Sequence, residues 1–397
     1  MSKEIYITGA GVVSALGMDK ATTLDAIMNQ RSGVEPIKYL QTSHTDLPVG
    51  EVKHSNDELR EMLDIPSSEA FIRSSLLGIP AVKEALRQAQ LKDRSTLRVA
   101  FLSGITVGGM DQAELMYSDF LHNDSKNAYI ELNDCGACTG QIADYIGGFD
   151  MISTIVTACS SSANTIMMGA DMIKSGRADI VVAGGTECLS RYHVNGFNTL
   201  MILDKDICKP FDRDRSGINL GEGAGYLVLE SAEMAERRGV TPIGKVSGYS
   251  NACDAYHQTA SSPDGLGPYL AMKGAVEDAG LKPEDIDYIN AHGTGTPNND
   301  MTEGLAAMRL FEKVPPIASI KAYTGHTTSA AGSFEAVVSL LAIAHNFLPV
   351  NMNFRHKIEE HNFMPVTNSE PVRPVRHILS NSFGFGGNDS AIVLSKI

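Results

Sequence analysis

The residue best placed for covalent chemistry is Cys159. It follows a strand-like run ending in Thr157-Ala158 and opens a helical pattern, so its sulfur is expected beside unpaired N–H groups at the positive end of a helix dipole. That position lowers a thiol's pKa and makes it a nucleophile. Ala158, Ser160, Ser161 and Ser162 are small enough to let a substrate reach the backbone. The bland alternative is a buried structural cysteine, which cysteine frequency by itself favours. His292 stands in a Gly-rich run at 290–297 (Asn-Ala-His-Gly-Thr-Gly-Thr-Pro), directly after a strand-like stretch at 286–289. A loop histidine there suits proton or hydrogen-bond chemistry, and Thr294 and Thr296 offer hydroxyls to a polar ligand. A second histidine, His326, reads as a helix start, where the dipole favours a neutral imidazole able to donate one hydrogen bond. Lys321 lies in the strand or loop before it and needs an anionic partner if buried; Glu303 is the candidate. The run at 381–388 (Asn-Ser-Phe-Gly-Phe-Gly-Gly-Asn) is a Gly-rich loop with two aromatics, Phe383 and Phe385. Its glycines, Gly384 among them, permit close backbone approach, so the loop can present N–H groups to an oxyanion.

Elements of α/β type must hold these residues. Strands are predicted at 5–8 (followed by a glycine turn), 99–102 and 152–157, with a helix at 74–90. The order of parts then repeats. A small-residue helix starting at Cys159 is followed by a strand at 180–185, and Gly221-Glu-Gly-Ala-Gly225 leads into a strand at 226–229. Later a similar helix starts near His326, a strand follows at 377–380, and the glycines at 384–387 lead into 391–394. This implies two similar α/β halves, 1–240 with the cysteine and 241–397 with both histidines and the glycine loop, their core helices facing each other. There is no low-complexity segment or flexible linker.

Bulk properties narrow the function classes. The 397 residues carry a formal charge of −14, which argues against non-specific nucleic-acid binding and requires any acidic partner to dock on a local basic patch. Lys205, Lys209, Arg213 and Arg215 form the best such cluster near the site motifs. Without tryptophan and with 6% aromatics, stacking on bases or sugars is not signalled. The first residues contain no apolar leader segment, and the longest apolar stretch, near 336–350, is interrupted by His345 and Asn346, so a buried helix is expected and no membrane span. Six cysteines in such a chain point to free thiols in a reducing, cytoplasmic compartment. Cys135-Gly-Ala-Cys138 lacks the partners of a redox or zinc site. Thr8-Gly-Ala-Gly11 has Ser14 where a dinucleotide fingerprint needs its third glycine and reads as a strand turn, and 221–225 lacks the Lys-Ser/Thr of a phosphate loop.

Taken together and in order, Thr157-Ala158-Cys159, 290–297, Lys321 with Thr324-Gly325-His326, and 381–388 resemble the β-ketoacyl-acyl-carrier-protein synthases of the elongating type, close to synthases I and II. Residues 1–17 and 210–230 fit as well, so the resemblance runs essentially end to end. It implies the thiolase fold, two βαβαβ halves in five layers, usually dimeric. It also implies that Cys159 takes an acyl group from carrier-protein phosphopantetheine, with the N–H groups of Cys159 and Phe385 as oxyanion hole. His292 and His326 would stabilise the enolate left when malonyl-carrier protein loses CO2, Lys321 with Glu303 would organise the site, and Thr294 and Thr296 would hold the pantetheine arm. Phe385 with Gly384 would gate an acyl pocket that bends at Ile105, and Phe383 would bind the substrate arm. No metal and no cofactor beyond the carrier's phosphopantetheine is implied. The basic cluster would dock the acidic carrier protein.

Sister families separate on residues. Thiolases need a second reactive cysteine late in the chain, whereas the last one here is Cys253; the priming synthase has Asn at the position of His326; the chain-length factor lacks the nucleophile. Departures lie elsewhere. Ser160-Ser161-Ser162 replaces a small/Thr–Gly pattern, Thr327-Thr328-Ser329 replaces a Leu-Gly step, and 66–69 reads Pro-Ser-Ser-Glu where synthase II is basic. The stretch 129–140, which the resemblance places near the dimer interface, is also atypical. The expected activity is fatty-acid elongation by decarboxylative Claisen condensation. The alternatives are a specialised polyene or polyketide ketosynthase, as a homodimer or paired with a chain-length factor, a non-catalytic partner subunit, and a cysteine hydrolase.

Overall fold

The computed structural model describes residues 4–120 and 122–397. Residues 1–3, which belong to the stretch read for a leader and to the 1–17 motif, lie outside them. The first half contributes strands β1 (Ile5–Ser14), β2 (Val99–Gly104), β3 (Met151–Ile155), β4 (Ile180–Glu187) and β5 (Gly223–Ser231). The second contributes β6 (Gly244–Cys253), β7 (Tyr288–Asn290), β8 (Ile317–Ala318), β9 (His377–Gly384) and β10 (Asn388–Ser395). They form one sheet in the order β8-β7-β9-β10-β6-β1-β5-β4-β2-β3. Counted within its own half, each set reads third, second, fourth, fifth, first, so the internal repeat is a repeat of topology. The halves join through the antiparallel pair β1–β6, with Ile5 opposite Val246 and Ile7 opposite Gly244.

Helices complete five layers. On the outside of the first half lie α1 (Arg73–Gln88), α2 (Met110–Phe120) and α3 (Cys135–Ile146). Between the two five-stranded portions run α4 (Ser161–Lys174) and, from the second half, α7 (Ala331–His345). Outside the second half lie α5 (Leu266–Asp278) and α6 (Pro297–Leu310). One hydrophobic cluster joins Ile166 and Met167 of α4 and Phe334 and Val337 of α7 to Ile5, Leu227 and Ile378 of the strands. A helix covered on both sides by sheet must be apolar all round. This is why Thr328–His345, long and apolar enough by composition to cross a membrane, is 83% buried inside the fold. The buried-helix reading of this stretch holds.

Two expectations need correction. Thr8-Gly9-Ala10-Gly11 is not a turn: β1 continues to Ser14. Its glycines serve contact with α1, because a Cβ at Gly9 would lie 2.1 Å from the Ala85 carbonyl oxygen and one at Gly11 2.0 Å from that of Ala81. Neither core helix begins at its reactive residue: α4 starts at Ser161, and α7 starts at Ala331 after a 3-10 turn, Thr328–Ala330.

Candidate active site

Cys159 occupies the turn between β3 and α4. Ala158 has φ +52°, in the left-handed region, so the chain reverses there before the helix can form. The serine run pins this turn. Ser161 Oγ donates to the Ala158 carbonyl at 2.6 Å and accepts the Thr157 N–H at 2.9 Å, and Ser160 Oγ donates to the Thr157 carbonyl at 2.8 Å. Ser162 Oγ accepts the Ser333 N–H at 2.9 Å, tying the α4 start to the α7 start and thus one half's reactive loop to the other's. The serines that depart from the resemblance's usual pattern thus make hydrogen bonds within the turn, through Ser160 and Ser161, and to the other half, through Ser162.

The thiol is buried, and burial pushes its pKa up to about 11, against the opposing pull of the Lys321 charge and of the Phe385 N–H, which donates to the sulfur. The sequence expectation was a lowered value. Desolvation wins because the sulfur is enclosed rather than exposed at the helix end, and at neutral pH it rests as a thiol. His326 Nε2 lies 3.0 Å from Sγ. His326 owes its place to backbone clamps: its N–H donates to the Asn219 carbonyl at 2.7 Å and its carbonyl accepts the Gly221 N–H at 2.9 Å. Burial first and Lys321 second hold its pKa well below the usual histidine value. Burial, Lys321 and His326 do the same for His292. The two rings stand 5.2 Å apart and nearly perpendicular. Both imidazoles are neutral, as expected for His326, but the cause is burial and a neighbouring cation rather than a helix dipole.

Lys321 is fully buried in a helical turn, Lys321–Thr324. Its partner is not Glu303. Lys321 Nζ lies 2.6 Å from Glu335 Oε1 and 3.4 Å from His292 Nδ1. An ammonium only donates, so His292 Nδ1 accepts and its proton sits on Nε2. Glu303 instead accepts the N–H groups of His292 at 2.9 Å and Gly293 at 2.8 Å, and the Asn381 side-chain amide at 2.9 Å. Burial pushes Glu303 up to about 7. It shapes the His292 loop and leaves the lysine to Glu335. The sequence did hold a signal for Glu335: it is the only carboxylate in the mostly apolar α7.

These groups open on a cavity of about 340 Å³ lined by Cys159, both histidines, Thr294, Thr296, Phe383, Gly384 and Phe385. The Thr294 and Thr296 hydroxyls are 2.8 Å apart. Gly384 lies against the nucleophile turn, where a Cβ would come 3.1 Å from the Cys159 nitrogen. Phe197, which sequence reading missed, stacks on Phe385 at 5.7 Å and 21° and also lines the cavity. The Cys–His–His arrangement spans both halves.

Comparison with known proteins identifies this architecture. Residues 2–235 match the model of the β-ketoacyl synthase N-terminal domain, and residues 243–355 that of its C-terminal domain. The chain is a member of the β-ketoacyl synthase family. It is 32% identical over 410 residues to a 3-oxoacyl-[acyl-carrier-protein] synthase 2 of Staphylococcus aureus (strain N315), covering 100% of this chain and 99% of the relative. It is 33% identical over 409 residues to nodulation protein E of Rhizobium meliloti (strain 1021), with 100% of both covered. Among solved structures, the ishigamide ketosynthase/chain length factor superimposes with a TM-score of 0.92 at 29% identity over the whole of both chains.

Other expected site residues of this β-ketoacyl synthase fall less neatly. Ile105, at the end of β2, is fully buried in a cluster with Ile72 and Cys138 and does not line the cavity. Arg215 is not a surface cation: it is buried, 3.9 Å from Asp300, and donates to the Thr296 and Pro297 carbonyls. Lys205 and Arg213 are exposed, each beside an acid, Asp46 at 2.8 Å and Asp214 at 3.1 Å, and Lys209 is 4.0 Å from Asp206. Cys138 is buried and Cys135 half-buried, and burial raises both thiols.

Proposed function

We propose that this β-ketoacyl synthase elongates acyl chains in fatty-acid synthesis by decarboxylative condensation with malonyl-acyl-carrier protein. The observation that carries this is the convergence of Cys159 with two neutral imidazoles, His326 Nε2 at 3.0 Å from the sulfur and His292 with its proton on Nε2. In the first step the Cys159 sulfur attacks the carrier-bound acyl thioester while its proton passes to His326 Nε2. The tetrahedral oxyanion is held by the N–H groups of Cys159 and Phe385, and His326 returns the proton to the departing phosphopantetheine thiolate. In the second step malonyl-carrier protein loses CO2, and hydrogen bonds from His292 Nε2–H and from His326, once its ring proton has moved from Nδ1 to Nε2, stabilise the enolate. Its carbon attacks the acyl-Cys159 thioester, expelling Cys159 thiolate and releasing the 3-oxoacyl chain; the thiolate then takes a proton from water. Neutral histidines suit this role, because a donor that keeps its proton stabilises the enolate without quenching it.

The halves 1–240 and 241–397 divide the work, one supplying the nucleophile and the other both donors and the gate. Thr294 and Thr296 hold the pantetheine arm, and the reaction is an acyl transfer with no cofactor beyond that arm, in the cytoplasm. Acyl-carrier protein is the substrate partner, as the name of the Staphylococcus relative states for that protein. The subunit partner is a second copy or a chain-length factor. The ishigamide structure pairs its ketosynthase with such a factor, which favours the second reading, a ketosynthase of a polyene or polyketide pathway.

The test is mass spectrometry after incubation with acyl-carrier-protein thioesters of varied length and unsaturation, then with malonyl-carrier protein. An adduct on Cys159 that discharges as 3-oxoacyl product supports the reading, and the preferred chain selects the pathway. A folded protein that acylates with no donor, alone or with a chain-length factor, overturns it.

A further inference from the structure

The catalytic trio has a second chemical property. One ligand atom each of Cys159, His292 and His326 lies within 4.8 Å of the other two, and all three residues are buried, at 6%, 2% and 2% exposure. A thiolate and two imidazoles are the donor set that soft and borderline divalent cations prefer. The Phe385 N–H already points at the sulfur, as second-shell donors do around metal-bound thiolates. The three donors border the 340 Å³ cavity, which leaves a fourth coordination position facing open space. Two features oppose a cation. The Lys321 ammonium lies 3.4 Å from His292 Nδ1, and ligation through His292 Nε2 requires the ring proton to move to Nδ1, giving up that contact while Lys321 keeps its 2.6 Å bond to Glu335. The site is thus built to hold a metal only reversibly.

We propose that Cys159, His292 and His326 form a reversible inhibitory site for a thiophilic divalent cation such as Zn2+, which caps the nucleophile before it is acylated. Binding is a substitution without redox change. The metal–sulfur bond forms, the Cys159 thiol proton leaves to solvent, and the two Nε2 lone pairs complete three protein ligands. An acylated enzyme cannot bind, since its sulfur is spent. The inference rests on the site proposed above, but on its ligand geometry rather than on its reaction.

The experiment titrates the full-length protein, without substrate, with Co2+ as spectroscopic stand-in and then with Zn2+. Expected are one Co2+ per chain, a sulfur-to-cobalt charge-transfer band and intense visible bands of a tetrahedral site, all displaced by Zn2+. Alkylation of Cys159 by iodoacetamide should slow at least tenfold with Zn2+ and recover with EDTA. The Cys159→Ser variant should lose the charge-transfer band, and His292→Ala and His326→Ala should each weaken binding, with circular dichroism verifying their folds. The Lys321→Met/Glu335→Gln double variant, which removes the ion pair together, should bind roughly tenfold more tightly, because no ammonium then holds the His292 proton on Nε2. A charge-transfer band that persists in Cys159→Ser, or metal that leaves the alkylation rate unchanged, overturns the proposal. Acylation of Cys159 by metal-free protein is scored separately, so failure here is distinct from failure of the condensing function.

Discussion

At the residue scale the decisive quantity is the protonation state at rest. Burial holds the Cys159 thiol up to about 11, and the thiolate fraction grows as pH rises toward that value. Alkylation of the free enzyme by iodoacetamide should therefore keep accelerating, roughly tenfold per pH unit, through pH 9 and beyond. A plateau near pH 7 would show that the thiol is activated already at rest. In the proposed reaction His292 and His326 divide the labour in a way that mutation separates. Only His326 lies against the sulfur, so His292→Ala should still form the acyl adduct on Cys159. Malonyl decarboxylation should drop about 10²–10³-fold, the usual cost of one lost oxyanion donor. Single-turnover acylation and CO2 release, measured side by side, check this. Glu335 matters differently. Without Lys321 its carboxylate would be a buried uncompensated charge, and breaking such a pair from one side costs about 3–5 kcal/mol. Lys321→Met alone should therefore lower the unfolding midpoint sharply, and adding Glu335→Gln should restore much of it.

At the element scale, close backbone approach positions the site. Gly11 of β1 lies under α1, and an alanine there would put Cβ 2.0 Å from the Ala81 carbonyl oxygen, a backbone atom that cannot rotate away. Gly11→Ala should cost about 1–3 kcal/mol, read as a lowered denaturant midpoint with an unchanged m-value. Gly104 and Gly185 have the same purpose beneath Ser162, where a Cβ would meet its nitrogen at 2.7 Å and its Cβ at 2.8 Å respectively. They let the nucleophile turn sit directly on the sheet. Phe197, on the helix Arg191–Thr199, stacks on Phe385, so this helix and the Gly-rich loop line the same cavity.

At the scale of the whole molecule, β3 closes one end of the ten-stranded sheet and pairs only with β2 among the described residues. Ile152 on this edge is 48% exposed and Val156 just beyond it 54%. A free strand edge carrying exposed β-branched residues invites pairing with another chain. Ile152→Lys with Val156→Lys should convert the expected dimer to monomer in sedimentation experiments while the far-UV spectrum stays native. Pairing with a chain-length factor should be lost in the same variant. Across a chain of net charge −14, Lys205 and Arg213, the cations expected to meet an acidic carrier protein, are exposed and each is shared with an acid, Asp46 and Asp214. Reversing both to Glu should raise KM for carrier-bound substrate and leave kcat unchanged; equal KM values would remove this docking surface.

Chemistry and architecture were legible in the sequence to different depths. Cys159, His292, His326 and the glycine loop announced themselves because reactive residues stand beside glycine and small residues, a local pattern that the chain cannot hide. The duplication of halves was legible for the same reason, since the order of strand, helix and glycine turn is written linearly. The ion-pair assignment was not. Glu303 and Glu335 are both acids on helices near Lys321, and only packing decides that α7 carries its carboxylate to the lysine while α6 aims Glu303 at the His292 backbone. The helix starts were misjudged because a left-handed alanine at 158 and a 3-10 turn at 328–330 intervene, and the residue types there announce neither. The thiol's resting state also belongs to the tertiary structure, because desolvation is the sum of every group that excludes water from the sulfur. The sequence by itself determined which reactive residue types stand beside glycine and small residues and in what kind of fold; the folded packing decided who pairs with whom and which group holds its proton, since charge and burial act across space rather than along the chain.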